Sequence, residues 1–107
     1  MTVPDYGLTP LHDAAAWGDL EAVISLIEGG ADVNSVSSYD GLTPLMCAAA
    51  FGNLEVVQHL HEKGADLNRF AKRGDTALMM ADLKGHDEVV SFLIAVGAEN
   101  FDKLHPW

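Results

Sequence analysis

The chain has 107 residues, of which 49% are hydrophobic and 21% are charged; this composition supports one folded domain and excludes an intrinsically disordered chain. The formal net charge is −10 at pH 7, and residues 1–40 hold seven acidic residues and no Lys or Arg. Such a surface repels phosphate backbones and anionic membranes, so neither nucleic-acid binding nor membrane binding is expected. It favours a partner with a basic patch, mainly through association rate and orientation.

The single cysteine and the residues at the N-terminus predict an intracellular protein. Cys47 is the only cysteine, so no internal disulfide is possible, which fits a reducing compartment. Residues 1–5 have neither the basic region nor the apolar core of a signal peptide, and no apolar run approaches the roughly 18 residues of a membrane span. We therefore expect a cytoplasmic location.

An internal repeat organises the chain. The segment GLTPL at 7–11 recurs at 41–45 and, as GDTAL, at 74–78, with offsets of 34 and 33 residues. Residues 7–34 and 41–68 are identical at 18 of 28 positions, and residues 41–68 and 74–101 at 12 of 28. Because chance gives about two identities, the chain consists of three related units.

Each unit begins with a short predicted helix. A threonine supplies the N-cap hydroxyl, and in two units a proline follows at the first helical position, where its missing N–H costs little. Alanine-rich segments at 14–16 and 48–50 continue the helix, and a glycine in the left-handed conformation ends it. The threonines are Thr9, Thr43 and Thr76, and the glycines are Gly18, Gly52 and Gly85.

A second, amphipathic helix follows in each unit. In the first unit, residues 20, 23, 26 and 27 are apolar at the spacing of one helical stripe, and the other units repeat the pattern. Since one helix pair cannot bury its apolar face alone, about three units are the minimum for stability. The expected N-caps of these helices are Asp19, Asn53 and His86, of which Asp and Asn suit the role better than His.

These motifs resemble the ankyrin repeat. Residues 9–15, TPLHDAA, are similar to the ankyrin signature, and GADVN at 30–34 and GADLN at 64–68 are similar to its ending. The resemblance covers roughly residues 4–100 and implies an all-α fold, an ankyrin-repeat solenoid of stacked helix-turn-helix units with short β-hairpin-like loops, called fingers. We expect a single domain over residues 1–107, with repeats at approximately 4–36, 37–69 and 70–100 and a C-terminal tail at 101–107.

The third unit departs from the family pattern. Ala77 replaces its proline, and residues 82–84, Asp-Leu-Lys, replace the small end of its first helix. Polar replacements suit a terminal unit whose outer face meets water. Three large apolar residues in the tail predict a lid over that face, with a short linear motif or a connection to a further unit as the alternatives.

The resemblance implies protein recognition through the finger tips and the concave face of the first helices. At the fingers, alignment of the units selects Tyr6, Leu8, Tyr39, Asp40, Leu42, Lys72, Arg73 and Asp75. On the first helices, it selects Asp13, Trp17, Cys47, Phe51, Met80 and Lys84. Many of these side chains are aromatic or apolar, and a contiguous patch of that character marks an interaction site.

Three aromatic residues, Trp17, Tyr39 and Phe51, are the predicted anchors, because Tyr and Trp are enriched among interface hot spots. The alternative for Trp17 and Phe51 is that they pack onto their own units. Cys47 has no basic neighbour in sequence that would activate it, so it is interpreted as an ordinary small residue.

The sequence does not predict catalysis, a metal or a cofactor. His59 and His61 are two residues apart, which on a helix points them about 200° away from each other and prevents a shared ion. No Gly-rich phosphate loop or nucleophile motif is present. Asn34 and Asn68 match the loop asparagine that asparaginyl hydroxylases modify in some ankyrin proteins, although we favour the alternative that they brace the loops.

The resulting hypothesis is a monomeric, non-catalytic protein–protein interaction module, acting as scaffold, adaptor or inhibitor. Its partner is a protein, with a basic patch as the preferred feature. The alternative is a structural segment of a longer ankyrin solenoid without a partner site of its own.

Overall fold

The computed structural model describes residues 7–98, which form three helix pairs. The helices in chain order are α1 (Pro10–Trp17), α2 (Leu20–Glu28), α3 (Pro44–Ala50), α4 (Leu54–Glu62), α5 (Ala77–Leu83) and α6 (Asp87–Ala95). The predicted all-α repeat fold is confirmed. Within this part of the chain, none of the helices has the length and apolar character needed to cross a bilayer.

The first helix of each unit begins at the predicted threonine. The hydroxyl oxygens of Thr9, Thr43 and Thr76 each accept a hydrogen bond from the backbone N–H three residues later, at 3.4, 3.2 and 3.2 Å. Each threonine is extended, as an N-cap requires, and Pro10 and Pro44 occupy the first helical position. The predicted caps of α1, α3 and α5 are therefore confirmed.

The second helices begin differently from the sequence-based expectation. Asp19 does cap α2, because its carboxylate accepts a hydrogen bond from the N–H of Ala22 at 3.1 Å. Asn53 and His86 occupy the predicted N-cap positions of α4 and α6, but their side chains make no cap hydrogen bond there.

Asn53 and His86 instead reach back to the preceding unit. The Nδ2 group of Asn53 donates to the carbonyl oxygens of Ala15 and Ala16, at 2.8 and 2.9 Å. In the same way, Nε2 of His86 lies 3.0 Å from the carbonyl oxygen of Ala50. The last carbonyls of a helix have no partner within that helix, so these side chains stabilise both the helix end and the contact between units.

The core lies along the stacked first helices. α1 packs against α3, and α3 against α5, through alanines that are completely buried, among them Ala15, Ala48 and Ala49. Val23 and Val57 of the second helices are also fully buried. Because the alanine side chain is small, neighbouring units approach closely at these helices.

His12 joins the first two units through both ring nitrogens. Nδ1 accepts a hydrogen bond from the backbone N–H of Thr9 at 3.1 Å, and Nε2 lies 2.7 Å from the carbonyl oxygen of Leu42. The bond to a carbonyl places the ring proton on Nε2. The ring is completely buried, and in the second unit Met46 takes the equivalent position.

The fingers are tight turns, and no strand is assigned to them within residues 7–98. In the first finger, the N–H of Ser37 donates to the carbonyl of Leu42 at 2.9 Å, whereas in the second the N–H of Ala71 donates to the carbonyl of Asp75 at 2.8 Å. The first turn is thus one residue longer, as the sequence predicts. These cross-turn bonds give the loops their hairpin-like form.

Candidate protein-binding surface

The C-terminal ends of the first helices present the predicted aromatic anchors to solvent. Trp17 is the last residue of α1 and is 86% exposed, and Phe51, which caps α3, is 66% exposed. The alternative that both rings pack onto their own units is therefore wrong. Lys84, at the equivalent position after α5, is also exposed.

A cavity of about 400 Å³ lies between the two rings. Its lining consists of Ala16, Trp17, Phe51 and Asn53, and we call it the Trp17–Phe51 cleft. The amide of Asn53, which lines the cleft, is held in place by its bonds to the end of α1, so this part of the lining is fixed by the contact between the first two units. The cleft offers a partner two exposed aromatic side chains.

One helical turn before the cleft lie Asp13 and Cys47. Asp13 is exposed, while Cys47 and its counterpart Met80 in the third unit are half-buried. Burial, and secondly the nearby Asp13 carboxylate, raise the pKa of the Cys47 thiol to about 11. The thiol is therefore protonated at neutral pH, which does not suit a nucleophile.

The finger residues differ in how much of each side chain is exposed to solvent. Tyr39 is 67% exposed, and Leu8, Lys72 and Arg73 are exposed as well. Asp40, Leu42 and Asp75 are half-buried. Tyr6 and the tail at 101–107 lie outside the described residues.

Lys72 holds two fingers together in addition to any role in recognition. Its Nζ donates to the carbonyl of Ser38 at 2.6 Å, and its backbone N–H donates to the carbonyl of Asp40 at 3.0 Å. Since both bonds are to backbone atoms of the preceding finger, they fix the spacing of the finger tips. One of the hydrogen-bond donors of the Lys72 ammonium group is therefore already engaged within the molecule.

Alignment of the units places Leu83 in an exposed column of the first helices, and it is 83% exposed at the end of α5. The alignment missed Ile94 on α6 and two finger residues, Val36 and Phe70, which are exposed at equivalent places in the two fingers. Val36 and Phe70 each lie two residues after the loop asparagine, Asn34 or Asn68. Their shared position in the repeat is the sequence feature that could have identified both as finger residues.

The loop asparagine of the first unit braces its neighbour. Asn34 donates from Nδ2 to the carbonyl of Gly64 at 3.2 Å and accepts from the N–H of Asp66 at 2.7 Å. In the second unit, the N–H of Asn68 donates to the carboxylate of Asp66 at 3.0 Å. Bracing is thereby directly observed for Asn34, and hydroxylation of Asn34 or Asn68 stays a prediction.

Within residues 7–98, no group of three or more His, Cys, Asp or Glu side chains is arranged to hold a metal ion. His61 is half-buried, and its ring packs edge-to-face against Phe92, with 5.8 Å between ring centroids and 79° between ring planes. This contact gives His61 a packing role on the outer helices.

Comparison with known proteins identifies the family. The family model described as Ankyrin repeats (3 copies) matches residues 11–103, which is most of the chain. A comparison with curated proteins finds no match to the chain. Ankyrin repeats are generally protein–protein interaction modules and are typically non-catalytic. With three matched repeats and three helix pairs stacked through their first helices, the chain belongs to the ankyrin repeat family.

Proposed function

We propose that this protein is a monomeric, non-catalytic interaction module that binds another protein through its first helices and fingers. The observation that carries the proposal is the exposure of Trp17, Tyr39 and Phe51, three aromatic side chains at positions that the family uses for recognition. We further propose that it works inside the cell, without nucleic acid or membrane as a ligand, and that its acidic surface selects a partner with a basic patch.

Physical chemistry supports this choice of surface. Exposed aromatic rings on a rigid scaffold bury a large area in a complex while losing little conformational entropy, so they act as anchors. Trp17 ends α1, whose last carbonyls accept hydrogen bonds from Asn53, and Phe51 follows α3, whose Ala50 carbonyl lies 3.0 Å from Nε2 of His86. The backbone that carries each ring is therefore held in place before binding. A specific complex through these elements is expected to bury about 1,000 Å² or more in total.

The alternative, a segment within a longer solenoid, is less well supported by the third unit. Ala15 and Ala49 are completely buried under the unit that follows each of them, whereas Asp82 occupies the equivalent position in α5 and is exposed. Covering that position with another helix pair would bury a carboxylate without a partner. The outer face of α5 therefore suits solvent better than a fourth repeat.

Site-directed photo-cross-linking tests the proposed function. The photoreactive amino acid benzoylphenylalanine replaces Phe51 in one variant and Glu62, an exposed residue at the end of α4, in a matched control. In extract of the native cell, we expect a discrete adduct from position 51 and none from position 62. Adducts of equal yield from both positions, or none from position 51, contradict the proposal.

A second variant separates binding from folding. Because Trp17 is almost fully exposed, Trp17→Ala is expected to change the free energy of unfolding by less than about 0.5 kcal/mol. The same replacement in the position-51 cross-linking variant is expected to reduce the adduct strongly. An undiminished adduct shows that Trp17 is not an anchor.

A further inference from the structure

We propose that the Trp17–Phe51 cleft receives an arginine side chain from a basic segment of a partner protein. This inference rests on the proposed function and adds the chemistry of the contact. The guanidinium group stacks on the indole of Trp17 and against Phe51, and the Asp13 carboxylate pairs with it.

Helical spacing brings an acidic group next to the cleft. Asp13 precedes Trp17 by four residues on α1, and Cys47 precedes Phe51 by four at the end of α3, so each pair shares one helix face. Asp13 is exposed on α1, one helical turn before Trp17, and its carboxylate is near enough to Cys47 of the neighbouring helix to help raise the pKa of that thiol. A cation above the rings therefore lies within reach of a negative charge.

The chain supplies no Lys or Arg of its own near this carboxylate in sequence. The first such residue is Lys63, and the acidic residues between positions 7 and 40 are Asp13, Asp19, Glu21, Glu28, Asp32 and Asp40. All formally charged side chains of the first unit are therefore negative. A basic segment of a partner completes this arrangement, whereas an acidic one is repelled.

Both aromatic rings favour a planar cation over an apolar group. The face of an aromatic ring is negative, Trp is the strongest of the ring acceptors, and a guanidinium stacks flat on it. The cleft is also open to solvent at both rings, so a guanidinium stacked there keeps part of its hydration. Lys84 lies beyond Phe51 on the next unit and repels a second cation there, which directs the arginine toward the first unit.

The test uses the full chain and two labelled hexapeptides, acetyl-Gly-Leu-Arg-Leu-Arg-Gly-amide and its equivalent with citrulline in place of arginine. Citrulline keeps the shape and removes the charge, so fluorescence anisotropy of the two peptides measures the contribution of the cation. We expect about tenfold weaker binding of the citrulline peptide, from loss of both the ring contact and the ion pair.

Variants then assign the contacts. Trp17→Leu keeps an apolar side chain and is expected to weaken the arginine peptide about two- to fivefold. Asp13→Asn is expected to weaken it about twofold, with the loss disappearing at high salt. Glu62→Gln removes an exposed carboxylate at the end of α4 and is the matched control, for which we expect unchanged binding. Melting curves confirm that each variant is folded.

Equal affinity for the arginine and citrulline peptides overturns the inference, as does unchanged binding by Trp17→Leu or the absence of any binding. These results are distinguishable from failure of the proposed function. If cross-linking from position 51 succeeds while arginine has no advantage, the surface binds a protein by other chemistry. If cross-linking fails as well, the proposed function is wrong.

Discussion

Replacing Gly52 and Gly85 separately with alanine isolates the contact between the second and third units. Both glycines follow a first helix in the left-handed conformation, with φ of +72° and +78°. Alanine in that conformation costs about 1–2 kcal/mol at either position. The two sites differ in their surroundings, because a Cβ at Gly52 lies 2.5 Å from Nδ1 of His86, whereas among residues 7–98 a Cβ at Gly85 meets no atom within 4 Å apart from its chain neighbours.

Gly52→Ala is expected to destabilise the protein more than Gly85→Ala because it disrupts a hydrogen bond of His86. To make room, its ring has to move away from the position that bonds the carbonyl oxygen of Ala50 at 3.0 Å. Losing that hydrogen bond costs about 0.5–1.5 kcal/mol in addition to the backbone strain. Gly85→Ala is therefore expected to lower the free energy of unfolding by about 1–2 kcal/mol, and Gly52→Ala by about 2–3 kcal/mol.

Thermal and urea unfolding followed by circular dichroism measure the effect. An extra loss of about 1 kcal/mol lowers Tm by about 4–8 °C in a domain of this size. A double-mutant cycle with His86→Ala is the control, since removing the ring makes the two glycine replacements equivalent. Equal losses for Gly52→Ala and Gly85→Ala in the unmodified chain refute the reasoning.

Three further predictions concern single side chains. His12→Met is expected to lower the free energy of unfolding by about 1 kcal/mol in urea unfolding, since methionine fills this position in the second unit but cannot donate to the carbonyl of Leu42. Asn53→Ala is expected to lower it by about 1–3 kcal/mol, because two helix-end carbonyls lose their donor, and thermal unfolding measures this. Alkylation of Cys47 by iodoacetamide is expected to accelerate up to about pH 11 instead of levelling off near the ordinary pKa of 9.0, and Asp13→Asn lowers that midpoint. Because the folded-state pKa is the higher one, burial of the neutral thiol favours the folded state below pH 9.0, and this contribution is lost as pH rises toward about 11.

Each of these predictions has an outcome that contradicts it. Unchanged stability of His12→Met means that the bond to Leu42 contributes nothing. Asn53→Asp keeps a side chain able to cap α4 but lacks the Nδ2 donor, so wild-type stability of that variant excludes the bond to α1 as a stabilising contact. For Cys47, a rate that levels off near pH 9.0 in the folded protein, as expected for the chain unfolded in urea, shows that the thiol is not shielded.

Local sequence signals predicted the fold well because an ankyrin unit is defined over a few residues. The threonine at each first helix acts on an N–H only three residues away, so Thr9, Thr43 and Thr76 were identifiable from spacing alone. The alanine-rich segments at 14–16 and 48–50 were likewise predicted to be helical from their place in the repeat.

Contacts between units were not predictable in the same way. Asn53 has the chemistry and the position of a cap, yet its Nδ2 donates to carbonyls at the end of α1, 37 and 38 residues earlier in the chain, and its side chain makes no cap bond to α4. Which of the two it bonds depends on the distance between stacked units, which no local pattern contains. For the same reason, the sequence left open whether Trp17 and Phe51 are exposed or pack onto their own units.

The bonds from Asn53 and His86 to the preceding unit also bear on how long such a protein can be. The carbonyls of Ala49 and Ala50 in the second unit occupy the positions that Ala15 and Ala16 occupy in the first. An inserted duplicate of the second unit would therefore find, at the end of the original α3, the same acceptors that its asparagine already uses on α1. Because the start of the second unit is complementary to its own end, copies of this unit can stack head to tail. The array can therefore be lengthened without a new type of interface between units.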